Sequence, residues 1–189
     1  MPHLLRRISD KDAWASVEDS PLWGQEDCPP EALVQIFDNR AGVSTWRVET
    51  EEEITRVIAA QAFVRSTISD FAYCLIDETV LRRENIKTRN SPVKTIDREK
   101  MGRHVDIIEL SGKQLVRLAQ IINFEFEPKV KTRSEILAAA ATFFSSGVFD
   151  RNFLFVGGNR GRGEQEITNA KNLLVNLWKK VEIDLPKPV

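Results

Sequence analysis

Apolar and polar residues alternate along this chain in short runs that switch between period two and a period near 3.6, the signature of strands interleaved with helices. Val43 to Glu49 alternates and reads as a strand with Trp46 and Val48 turned to a core. Ala32 to Phe37 reads as a partner strand across the turn Asp38-Asn39-Arg40-Ala41-Gly42, although Pro30 and Glu31 could equally open a helix. Phe71 to Ile76, FAYCLI, is an unbroken apolar run of strand length, as expected of a central strand buried on both faces. Further strands are expected near Ile86 to Thr88, over Val105 to Leu110, at an edge over Phe124 to Val130, and over Phe153 to Val156.

Helix starts are marked more sharply. Thr50-Glu51-Glu52-Glu53, Ser111-Gly112-Lys113-Gln114 and Thr132-Arg133-Ser134-Glu135 each place a hydroxyl three residues ahead of a Glu or Gln, the capping-box pattern. The first predicts a helix to about Ser66, the second a helix with Leu115, Leu118, Ala119 and Ile122 on one face. The third opens EILAAAATFFSS, apolar nearly all round, with four alanines suited to close packing and Gly147 as its stop. A last amphipathic helix carries Ile167, Ala170, Leu173, Leu174, Leu177, Trp178 and Val181 on one stripe.

These elements predict an α+β (mixed α/β) fold, a central sheet flanked by helices. Residues 1–30 read as an irregular N-terminal arm and 31–189 as a single domain. In the arm Trp14, Leu22 and Trp23 are large apolar groups in a polar setting, expected to dock on the domain, on a second copy or on a partner protein.

Composition narrows the class. At 189 residues, with 42% hydrophobic and 29% charged, the chain can bury a sizeable core and is unlike a disordered one. The net charge of -1 means that any nucleic-acid role must rest on a local patch. Cys28 and Cys74 are the only cysteines and form no CxxC, which suits a reducing, cytoplasmic compartment. No apolar run is long enough to span a bilayer, and MPHLLRRISDKD lacks the apolar core of a signal peptide.

Candidate chemistry concentrates in a few places. Between the expected strand ending at Val156 and the last helix lies GGNRGRGEQ. Gly157, Gly158, Gly161 and Gly163 can expose backbone N–H groups, and Arg160 and Arg162 are forked donors that match phosphate oxygens. The loop thus has the parts of a phosphate cradle, but Glu164 and Gln165 follow Gly163 where a P-loop requires Lys and Ser or Thr, and the spacing is not the dinucleotide fingerprint. The alternative is a solvated turn. Arg82, Arg83, Lys87, Arg89, Lys94 and Arg98 form a basic segment, either a solvated face or a nucleic-acid footprint acting with that loop.

Asp77 and Glu78 end the FAYCLI strand, where a carboxylate pair can bind metal, move protons, or simply cap a helix. His104 and Asp106 share one face of an extended chain and have the types of a base and its orienting acid. With His3 as the only other histidine, no metal site is expected, and no cofactor is implied. Glu127-Pro128-Lys129 has a nuclease-like spacing but carries proline where a paired strand is needed, and is set aside.

Three functions follow in order of expectation. The first is a non-catalytic intracellular interaction or regulatory protein acting through surface contacts. The second is nucleic-acid or nucleotide binding through loop 157–163 and segment 82–98. The third is a carboxylate-dependent hydrolase or phosphoryl-handling enzyme using Asp77, His104 or Asp106.

Overall fold

The structure is a computed structural model that describes residues 2–8, 42–63, 68–93, 95–122 and 129–149. The elements in chain order are β1 (His3–Ile8), β2 (Val43–Val48), α1 (Glu51–Phe63), β3 (Phe71–Asp77), α2 (Glu78–Arg83) and β4 (Lys87–Asn90). A 3₁₀ helix (Arg98–Arg103), β5 (His104–Ile108), α3 (Gly112–Gln120), β6 (Lys129–Lys131) and α4 (Arg133–Ser145) follow. The six strands make one antiparallel sheet in the order β4-β5-β2-β1-β3-β6. With four helices on it, the fold is mixed α+β, as the patterning predicts.

Both faces of the sheet are covered. On one, Leu4 and Ile8 of β1, Val43 of β2, Cys74 and Ile76 of β3 and Val105 and Ile107 of β5 pack against Leu81 of α2 and Leu118 and Ala119 of α3. On the other, Leu5, Trp46, Val48, Phe71 and Tyr73 pack against Ile54, Val57 and Ile58 of α1 and Ile136 of α4. Two-sided burial explains why FAYCLI has no polar alternation: successive side chains enter opposite cores. Trp46 and Val48 face a core as expected, and Val43 on the other side of β2 is buried as well. Of the four alanines of α4, Ala140 is buried and packs in one cluster with Ala59 and Ala60 of α1, Phe144 and Phe149, while Ala138 is exposed, so the helix is buried on one side rather than nearly all round.

Two of the three predicted capping boxes form completely. Ser111 and Thr132 form complete capping boxes with Gln114 and Glu135. Thr50 accepts from the Glu53 N–H, while the Glu53 carboxylate turns back to the N–H of Glu49. Gly147 takes φ +76 at the end of α4, where a side chain would be strained.

The arm reading of residues 1–30 needs correcting at its start. His3–Ile8 is one of the two central strands of the sheet, paired with β2 on one side and β3 on the other. Two adjacent arginines hide it from a reading of alternation. Arg6 enters one core, where it donates to the carbonyl of Ser44 at 3.0 Å, and Arg7 lies over the Phe71 ring on the other face, 5.5 Å from its centroid. The remainder of the arm, with Trp14, Leu22 and Trp23, lies outside the described residues, as do the strand expected over Ala32 to Phe37 and everything after Phe149.

Candidate functional site

Strand register assembles the site. In the antiparallel ladder of β2 and β5, Trp46 lies opposite His104 and Ser44 opposite Asp106. On the outer side of β5, Arg89 of β4 also lies opposite Asp106. Arg89, Asp106 and Ser44 therefore form one row across three strands, and His104 and Trp46 form the next.

The His104 ring is held on every side. Trp46 meets it edge-on, with centroids 5.0 Å apart and planes at 78°. Its Nε2 is 2.6 Å from the Ser44 Oγ. Its Nδ1 is 2.8 Å from the Ser91 carbonyl oxygen and 2.8 Å from the Ser91 Oγ. Ser91 in turn donates its backbone N–H to the His104 carbonyl at 3.0 Å, which ties the segment after β4 to the start of β5. A carbonyl oxygen only accepts, so Nδ1 carries a hydrogen, and in the neutral ring Nε2 presents its lone pair to the Ser44 hydroxyl. Asp106 lies further off, with Oδ1 3.9 Å from Nδ1 and the other carboxylate oxygen 3.7 Å from Arg89. Ser91, not Asp106, is the group that orients the ring.

The sequence brings His104 and Asp106 to one face, and the structure does too. Ser44 and Ser91 are the partners that the sequence does not signal. They lie 60 and 13 positions from His104, and only the β2–β5 and β4–β5 registers bring them there.

Asp77 stands elsewhere. Its Oδ1 accepts the Thr79 N–H at 2.7 Å as the N-cap of α2, and that bond, with one from the Thr79 hydroxyl, holds its carboxyl below the usual range. The expectation of a ligand at this strand end rests on parallel sheets. This sheet is antiparallel, and Asp77 is spent on capping. Glu78 next to it pairs with Arg47 of β2 through both carboxylate oxygens.

Much of the basic segment is compensated within the chain. Arg83 has Glu84 at 3.6 Å, Lys87 has Glu109 at 2.5 Å and Arg89 has Asp106 at 3.7 Å. Gly157, Gly158, Arg160, Gly161, Arg162 and Gly163 lie outside the described residues, so the juxtaposition of that loop with segment 82–98 is not part of the described structure. Among the described residues, no three His, Cys, Asp or Glu side chains converge on a site for a metal ion, and no helix is long and apolar enough to cross a membrane.

Comparison with protein-family models, with curated proteins and with solved structures found no match.

Proposed function

We propose that this chain is an interaction protein that works through surface contacts and takes an extended segment of a partner protein on its β4 edge. The observation that carries this reading is β4 itself. Lys87–Asn90 is exposed at every position and ends the sheet, with β5 on its inner side and no strand on its outer side among the described residues. Such an edge offers main-chain donors and acceptors to an added strand. Its shortness and its two cations discourage indiscriminate pairing between copies. Lys87 is tied to Glu109 by an exposed pair, which contributes at most about 1 kcal/mol, while exposed Arg89 stands 3.7 Å from the largely buried Asp106 carboxylate. A partner with acidic side chains can therefore recruit Lys87 at little cost.

Lys87 and Arg89 suit phosphate oxygens as well, so nucleic-acid binding through 82–98 is the second reading, ranked below this one by the net charge of -1. The proposal keeps a cytoplasmic setting, argued from the two isolated cysteines, and a second contact through the Trp14 and Trp23 arm.

The test is a photo-crosslinking residue placed at Thr88 of β4 and, as control, at exposed Thr142 of α4, in cells that make the protein. A defined partner band from Thr88 and none from Thr142 is expected. No partner at Thr88, or the same products from both positions, would remove the edge from consideration.

A further inference from the structure

We propose that Ser44 is a nucleophile activated by His104, forming a site for acyl transfer from esters that carry a negative charge. This goes beyond docking at β4 and shares only Asp106 with it.

The hydrogen-bond pattern carries the argument. Ser91 fixes the His104 tautomer, so Nε2 is the acceptor and the Ser44 hydroxyl is the donor across 2.6 Å. A nucleophilic hydroxyl and its general base need this arrangement, with a third group setting the ring. Burial is divided suitably between the two. His104 is 6% exposed and shielded by Trp46, while Ser44 is only partly buried. The Asp106 carboxylate lies 3.9 Å behind Nδ1, on the side of the ring away from Ser44.

The same face carries Arg7. Leu5 and Trp46 are register partners in one core, and Arg7 and Ser44 each lie two residues on, hence on the same face. The buried Arg7 Nε has no hydrogen-bond partner among the described residues. A buried guanidinium nitrogen left without an acceptor is costly, and a carboxylate on the acyl group would relieve it.

The step balances simply. The Ser44 Oγ attacks the ester carbonyl carbon, and the Oγ–C bond forms as the hydroxyl proton passes to His104 Nε2. The ester C–O bond breaks, and the departing oxygen takes that proton. Acyl-Ser44 and an alcohol remain, and water regenerates Ser44 by the same transfers in reverse, releasing the acid.

The experiment treats the full chain with 4-nitrophenyl acetate and with the mono-4-nitrophenyl ester of succinic acid, and maps adducts by mass spectrometry. Expected are an initial burst of about one equivalent of nitrophenolate followed by slower turnover, and an acyl group trapped on Ser44 during the burst, with the succinyl ester reacting at least about tenfold faster. Ser44→Ala should abolish the adduct, and His104→Gln should slow it about a hundredfold or more. Arg7→Gln should equalise the two esters. The wild-type adduct map involves no variant and hence no folding defect. Acylation that spares Ser44, or that falls on many serines alike, overturns the proposal, as does an undiminished rate in folded His104→Gln. Equal rates for the two esters on the wild type overturn the assignment to anionic acyl groups.

Discussion

Arg56 of α1 grips Asp97 with two hydrogen bonds of 2.9 Å, one to each carboxylate oxygen, and the Asp97 side chain is completely buried. Arg56 reaches Glu99 as well, at 2.9 Å. Lys100 pairs with Glu53, and Arg103 with Glu49 at 3.1 Å. These contacts clamp the 3₁₀ helix onto the start and middle of α1. Because β5 begins at once after that helix, the clamp also sets where His104 stands.

Removing one partner of a buried pair leaves the other charge uncompensated, which typically costs about 3–5 kcal/mol. Asp97→Ala is expected to destabilise the chain by that amount in urea denaturation. Replacing both partners together, Arg56→Met with Asp97→Leu, should cost clearly less than Asp97→Leu alone. A loss under about 1 kcal/mol in Asp97→Ala would show that Glu99 alone satisfies Arg56.

Acid should weaken the fold in a defined window. Burial pushes the Glu53 carboxyl up, but the Lys100 ammonium, the Glu49 N–H and the nearby Arg103 charge together bring it below its ordinary 4.5. Glu84 beside Arg117, Glu109 beside Lys87 and Glu135 at the Thr132 cap are lowered in the same direction. Each carboxyl binds its proton less readily in the folded chain than in the unfolded one. The stability they supply is therefore complete above 4.5 and is lost as the pH falls through their folded values. Urea midpoints should hold from pH 7 to 5 and fall steeply below 4.5, with a shallower fall in Glu53→Gln. Midpoints independent of pH down to 3 would contradict this.

Cys74 should be silent in the folded state. Burial is complete and pushes its thiol up to about 12, against the opposing pull of the Arg6 charge. Only the thiolate is an effective nucleophile. Alkylation by iodoacetamide at pH 8 should leave Cys74 unmodified in native protein and modify it fully in urea. Rapid native modification at Cys74 would mean that the core around Arg6 and Cys74 opens readily.

How much of this was legible in the residues depends on whether the cause is local. The Ser111 and Thr132 boxes form within four residues, so spacing alone locates the starts of α3 and α4. FAYCLI announces a strand between two cores because every position is apolar. β1 does not announce itself, since the reasons Arg6 and Arg7 are tolerated lie in other strands, at Ser44 and Phe71. The six-residue α2 is too short for periodicity to register, and its one sharp signal, Asp77 as N-cap, is shared with turns. At the site, the period of two places His104 with Asp106, but Ser44 and Ser91 join them only through register, which no local pattern encodes.

Gly42 links the fold to the site. It opens β2 with φ +124, a conformation that side chains rarely adopt. A Cβ there would stand 2.9 Å from the Ile107 carbonyl oxygen and 3.1 Å from the Ile108 side chain. Ile107 is the register partner of Val43, so the clash falls on the ladder that holds Ser44 against Asp106 and His104. Gly42→Ala should cost about 1–3 kcal/mol through backbone strain. For a chain of this size each 1 kcal/mol shifts the melting temperature by about 2–4 °C. Gly112, in the first turn of α3, is the control, because a Cβ there meets nothing within 4 Å. Gly112→Ala should be neutral or stabilising by up to about 1 kcal/mol. Calorimetry on the two variants reads the difference directly, and a Gly42→Ala protein that melts with the wild type would show that the β2–β5 ladder can shift to admit the methyl group.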